Sequence, residues 1–412
     1  MIRLLLLAIT MTTAAPAQVD LWDLPPLRYS DTAAKDPLTT LAQDWQSGKN
    51  KFRGTTELTR LKEILAALRV PESSQVLVFS RTSKQNGLIH PANPRALYFS
   101  RDCYCGFVPG GMMEVIIQDR QLGPIFYLID LKITNQIPTI ERDTSDCLSC
   151  HGTGRTENVP GVLVRSVFPD EHGNALLSFG SGLVMHDTPI AQRWGGYYVT
   201  GDIALPHLGN RTYTDARSAE PAASDGKDLT EKIDVTKYPC ATSDIVALIV
   251  LEHQCQANNL LTAAKMNYDR ARFLSRSIDP DSDPDEGSAG RVAEQAAQRI
   301  VEWFLFQGEA ALGDDGVSGS EAFQQQFRAA FPCAKHGDSL ADFQLNSRIF
   351  KNRCSFMIYS EAFRSLPAAV KTRVIHKLKA VVDATKSDDA FPQIKLTERR
   401  RIATILRDTG VF

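Results

Sequence analysis

The chain has 412 residues, too many for one small domain and enough for two or three. Hydrophobic residues at 43% and charged residues at 23% allow a sizeable buried core and exclude global disorder. Against 48 acidic residues stand 46 basic ones, a net charge of −2 that excludes the basic field bulk nucleic-acid binding needs.

Taken in chain order, residues 1–17 (MIRLLLLAITMTTAAPA) read as a signal peptide. Arg3 is the positive start, Leu4 to Ile9 the apolar core, and Ala15-Pro16-Ala17 the small-x-small cleavage pattern. No cysteine precedes Cys103, so no lipid anchor is expected near the cut. These features predict an exported chain, periplasmic or secreted, in an oxidising compartment. Beyond the N-terminus the longest purely apolar run is Ile245 to Leu251, too short to cross a bilayer, so no transmembrane segment is expected.

Residues 18–55 read as an irregular lead-in. Leu58, Leu61, Ile64, Leu65 and Leu68 then recur at helical spacing. Short β-type runs follow at Gln75–Phe79, Ala96–Phe99, Glu114–Gln118, Pro124–Asp130, Val162–Val167, Ala175–Phe179 and Gly196–Thr200. Turn residues separate them, and Gly173-Asn174 marks a hairpin tip. Residues 214–230 form a polar linker. From there the pattern is helical: a long buried helix opening at Ile245, then four-residue repeats at Val292, Ala296, Ile300 and Phe304, and at Val370, Val374 and Leu378. Residues 279–290 (DPDSDPDEGSAG) are acidic and proline-broken, and are expected to be mobile. The fold class predicted is α+β, with short antiparallel strands over 56–213 and an all-α region over 231–412.

One motif carries chemistry. Cys147-Leu148-Ser149-Cys150-His151 is Cys-x-x-Cys-His, the attachment signature of c-type haem. Two thiols at i and i+3 lie one helical turn apart, as needed to add across the two vinyl groups of a haem, and the adjacent histidine offers a neutral imidazole to the iron. With eight cysteines and eight histidines, the chance expectation for this pattern is about 0.003. A structural zinc needs four ligands, and no second Cys-x-x-Cys is present. A thioredoxin-type pair would sit at the end of a strand in a parallel βαβ unit, whereas irregular sequence precedes Cys147.

For a second axial ligand the sequence offers His186, His207, Met185 and His253. Met112 and Met113 precede the motif, and a five-coordinate iron with an open face is equally compatible. Arg193 and Trp194, in the run RWGGYYVTG, suit a haem propionate and a porphyrin edge, with Gly195 and Gly196 permitting close approach. The remaining six cysteines (Cys103, Cys105, Cys240, Cys255, Cys333 and Cys354) allow up to three disulfides in any of 15 pairings. A copper or zinc site built from Cys103, Cys105 and a histidine lacks an evident fourth ligand. There is no Gly-x-Ser-x-Gly, His-Glu-x-x-His or phosphate loop.

On CLSCH (147–151), RWGGYYVTG and DIVALIVLEHQ, the chain resembles a functionally uncharacterised group of secreted bacterial proteins with a single haem motif in mid-chain. VLVFSRTSKQNGLIHPANPRALYF (76–99), FYLID (126–130), VPGVLVRSVFP (159–169) and CSFMIYSEAF (354–363) carry the same resemblance. It implies covalent haem but no established activity. The group typically has Thr-His before Arg-Trp-Gly-Gly and a histidine before Met-Gly-Asn after it. Here Met185-His186 and His207-Leu208-Gly209-Asn210 stand there, which favours His186 and His207 as ligands. Cys103 and Cys105 stand where the group usually has Asp and Val.

The expectation is therefore an exported monohaem c-type cytochrome that transfers electrons to or from a redox protein or small molecule. A carrier needs only about 100 residues, the usual size of one domain. The extra length leaves two alternatives: a haem-dependent oxidoreductase or peroxidase-like enzyme with an open distal site, or a haem-based sensor or docking subunit.

Overall fold

A computed structural model describes residues 20–132, 137–215, 220–223, 229–283, 285–383 and 390–412. Residues 1–17, expected to be a signal peptide, and parts of the 214–230 linker lie outside the described residues.

The lead-in carries a helix, α1 (Pro37–Gln46), where no periodic apolar signal stands out. Asp36 caps it by accepting from Leu38 N and Thr39 N, and Pro37 occupies its first turn. α2 (Glu57–Ala67) follows, with a reciprocal cap between Thr56 and Thr59. A meander comes next: β1 (Val76–Val78), β2 (Arg95–Ser100), β3 (Cys103–Phe107), β4 (Met112–Asp119), β5 (Gly123–Asp130) and β6 (Ile140–Asp143). After a one-turn helix α3 (Leu148–His151) come β7 (Arg165–Val167), β8 (Ser181–Leu183), β9 (Tyr197–Tyr198) and β10 (Asp202–Ile203). β9 returns to pair with β1, giving a seven-stranded antiparallel sheet in the order β6-β5-β4-β3-β2-β1-β9. The hairpin with its tip at Gly173-Asn174 pairs β7 with β8, so Ser181–Leu183 rather than Ala175–Phe179 is the return strand.

The rest is mainly helical: α4 (Ile245–Ile278), α5 (Gly287–Phe304), α6 (Glu321–Ala329), α7 (Glu361–Arg364), α8 (Ala368–Val382) and α9 (Leu396–Asp408). It is not all-α. β11 (Val317–Ser318) pairs with β10, and residues 330–355 contain no helix. The acidic 279–290 stretch is shorter than its composition suggests, because α5 starts at Gly287.

The sheet has a core on each face. Leu61, Ile64 and Leu65 of α2 pack under Leu77, Tyr98, Cys105 and Val115. On the other face Val76, Val78 and Phe99 join Ile245–Leu251 of α4 in a core that runs on through α5, α8 and α9. The helical half is therefore the second layer over the sheet, because β1 and β9 are apolar on both sides and must be covered twice. In the described residues no helix is long and apolar enough to cross a membrane.

Candidate functional site

The Cys-x-x-Cys-His segment forms the single turn α3. Asp143 at the end of β6 accepts from Ser145 N and Cys147 N, both at 3.0 Å, which starts the turn. Backbone bonds from Cys150 N and His151 N to Cys147 O close it. Cys147 and Cys150 thus stand one turn apart, and with His151 they line one cleft with about 1300 Å³ of empty space, part of it open to solvent.

His151 is fixed from behind. Its Nδ1 lies 2.9 Å from Gly161 O, and Gly161 N donates back to His151 O at 2.8 Å. A carbonyl only accepts, so Nδ1 carries the proton and the neutral ring leaves Nε2 bare. Burial pushes the imidazole pKa below its ordinary value, which keeps the ring neutral. Gly161 is required: a Cβ there would come 2.4 Å from Oδ1 of Asn259, the α4 residue that pins Val162 by both its amide and its carbonyl. Trp22 covers the other side of the turn, 2.4 Å from where a Cβ on Gly152 would be.

The sheet forms the cleft floor. Side chains alternate along a strand, so Met112, Glu114 and Ile116 of β4 face it together, with Phe126 and Leu128 of β5, Leu97 of β2 and Tyr197 of β9. Phe126 lies 5.3 Å from the His151 ring, centroid to centroid. Glu114 is an inward-pointing acid in an apolar strand. Burial opposes its charge, but Arg95 at 2.8 Å, Ser83 at 2.9 Å and Gln85 at 3.1 Å outweigh burial and hold its carboxyl below the usual range. On β3, between β2 and β4, Gly106 adds no side chain to the space behind His151; a Cβ there would sit 2.8 Å from Glu114 Oε2. Arg95 Nε, buried beside the cleft, has no hydrogen-bond partner among the described residues.

These features fit a flat, largely apolar group carrying carboxylates and held through two sulfurs and one nitrogen. A redox dithiol works through a thiol of depressed pKa, and Cys147 is moved the other way. Burial, with Asp143 adding to it, pushes the Cys147 thiol up to about 12.

The other expected site residues gather elsewhere. Arg193, Trp194, His186, His207, Met185 and His253 do not line this cleft. Arg193 and Trp194 instead grip a buried carboxylate on α4: Arg193 donates to Glu252 Oε2, and Trp194 Nε1 donates to Oε1 at 2.6 Å. Arg193 also donates to Thr188 O at 2.7 Å and His186 O at 3.0 Å. The paired glycines serve protein contacts. A Cβ on Gly195 would lie 2.1 Å from Val167 O, and one on Gly196, at φ +90°, 2.6 Å from Ser80.

His186 and His253 are fully buried and joined Nδ1 to Nδ1 at 2.8 Å. His253 Nε2 lies 2.7 Å from Ser355 Oγ, and His186 Nε2 lies 3.3 Å from Gln307 O. One protonation pattern satisfies every contact: Ser355 donates to His253, His253 Nδ1 donates to His186, and His186 Nε2 donates to Gln307 O. His207 lies edge-on to Trp194 and accepts from Gly209 N at 3.0 Å. Burial lowers His186 to about 3 and His207 to about 4. All three rings are thus neutral and held by protein partners.

All eight cysteine sulfurs are free in the described residues. Cys103 and Cys105, buried under α2, come within 3.8 Å, well outside a bond of about 2.05 Å. No cluster of three or more His, Cys, Asp or Glu side chains suited to a metal occurs among the described residues.

Sequence reasoning missed Arg95, Glu114, Gly106 and Gln85, and named Met112 only alongside the other axial-ligand candidates. The available signal was the acid at Glu114 inside MMEVIIQD, on the same strand face as Met112. Compared with models of known families, with curated proteins and with solved structures, the chain matches none.

Proposed function

We propose that this chain is an exported monohaem c-type protein that passes single electrons. The observation that carries it is the motif turn itself: two thiols and a histidine with a bare Nε2 open together onto one cleft. Cys147 and Cys150 would hold the haem through thioether bonds, and His151 would ligate its iron. The bound group supplies one-electron redox chemistry. The protein's part is to keep His151 neutral and oriented through Gly161, to offer an apolar floor at Ile116, Phe126 and Leu97, and to place charge at Arg95 and Glu114. Among the sixth-ligand candidates, Met112 is the one that lines the cleft. A second reading, a haem-dependent oxidoreductase, draws on the room in the cleft and requires the face opposite His151 to stay open.

The test is an absorption spectrum of the exported protein with pyridine haemochrome analysis after denaturation. A c-type haemochrome with a low-spin native spectrum is the expected result. High-spin iron that binds cyanide quickly would favour the oxidoreductase. No haem after expression with a competent maturation system would refute the proposal.

A further inference from the structure

Cys150 is exposed at the surface end of the cleft, so the edge of anything held through it meets solvent there. Beside it runs a shallow groove between residues 81–86 and 174–177. Its lining includes Arg81, Lys84, Arg165 and Leu177, and it contains no carboxylate. Leu177 is 67% exposed, unusual for a large apolar side chain. Lys84 pairs with Asp146 at 2.7 Å. Arg81 and Arg165 spend their Nε donors on the neutral oxygens Asn86 O and Ser181 Oγ, and neither forms an ion pair among the described residues. Arg155 adds to their charge: after burial, its like charge is what depresses the Arg165 guanidinium. The chain as a whole is slightly acidic, so this basic rim is a local feature rather than a reflection of composition.

We propose that this groove is the docking face for an acidic electron-transfer protein. An exposed leucine beside two arginines that no carboxylate of the groove offsets has features of a transient protein interface, and charge of one sign selects and steers a partner of the other. It also lies where such a partner needs to be, against the exposed thiol that would carry the redox group. The inference rests on the haem proposal above.

The test uses the full haem-loaded protein, oxidised, and follows its reduction by a reduced acidic flavodoxin and by a reduced, strongly basic, low-potential cytochrome c over a range of salt. The flavodoxin reaction is expected to be the faster at low salt and to slow as salt rises. Arg81→Glu, which alters the groove but not the cleft, and the double variant Arg81→Glu/Arg165→Glu should slow it progressively, the double by roughly tenfold or more. Lys49→Glu makes the same charge change at an exposed site after α1 and should leave the rate nearly unchanged. A faster reaction with the basic protein, or rates indifferent to both groove variants, would overturn the proposal. So would binding to phosphatidylserine vesicles that the double variant loses, combined with no salt-dependent reaction with flavodoxin; that result would assign the groove to a membrane. A chain without a haemochrome removes both proposals, whereas a loaded chain with no charge dependence removes this one alone.

Discussion

Replacing Arg193 by methionine separates two roles for this side chain: anchor of a bound carboxylate group, or counterion of Glu252. Arg193 is 1% exposed, Glu252 is fully buried, and the guanidinium makes three contacts, to Glu252, Thr188 O and His186 O. Stranding one member of a buried pair costs about 3–5 kcal/mol. The two carbonyls left without their donor add about 1 kcal/mol each, partly offset by the apolar stem of methionine. The loss expected is therefore about 4–6 kcal/mol, with no loss of covalent haem per folded molecule. The loss also depends on pH. Burial already raises the Glu252 pKa above its ordinary 4.5, and removing Arg193 raises it further. A carboxyl whose folded pKa exceeds its unfolded one destabilises most at high pH and regains stability as pH falls through the folded value, at about 1.4 kcal/mol per unit. The deficit of Arg193→Met should thus shrink on acidification. Adding Glu252→Gln should cost less than the two single losses summed, since the charge is no longer stranded. Urea unfolding midpoints at neutral and acid pH, with matched slopes, measure all of this. A loss below about 1 kcal/mol together with reduced haem content would refute the reasoning and return Arg193 to the cofactor.

Three further outcomes follow from the site. Met112→Leu should lower the reduction potential and abolish any far-red sulfur-to-iron band if Met112 closes the face opposite His151; an unchanged potential and spectrum would exclude it. Gly106→Leu should fill the space behind His151 against Glu114 and cut haem uptake several-fold, read by haemochrome content of the purified protein, while the near-native circular dichroism of the sheet persists. His207 is neutral when folded, lowered to about 4 from 6.5, so the unfolded chain takes up its proton first on acidification. Its contribution is intact above about pH 6.5 and lost towards pH 4 at up to about 1.4 kcal/mol per unit, and His207→Asn, whose Oδ1 can still accept from Gly209 N, should flatten that slope in urea titrations.

The motif turn was legible because its information is local: an i, i+3 spacing survives whatever surrounds it. The α+β division was legible for the same reason, period-two runs giving way to period-four runs. The second set of site residues was not. Arg193 and Trp194 have the composition of a cofactor pocket, but their partner is a carboxylate 59 and 58 positions away on α4, and only the tertiary fold shows that they turn inward to it. β3 was not among the β-type runs read from the sequence. Its sequence, CYCGF, has a glycine that breaks the alternation of small and aromatic residues, and it is held by pairing with β2 and β4 on either side. α1 was hidden because its apolar positions are sparse, and it is started by a cap rather than by periodicity.

The same geometry bears on why the chain is longer than a carrier needs to be. Within α4, Leu251 and Cys255 are four apart, lie on one helix face and back the space behind His151. Glu252 and His253, a step round the helix, hold Arg193, Trp194 and His186. One helix therefore closes the rear of the cleft and organises the second core at once. Residues 18–230 expressed alone would leave Val76, Val78 and Phe99 uncovered on one face of the sheet, together with the partners of Asn259 at Val162. The expected outcome is an insoluble or protease-sensitive fragment that takes up no haem, whereas the full chain does. A soluble fragment with a haemochrome and a cooperative melt would show instead that the sheet half stands alone and that the helices serve some other task.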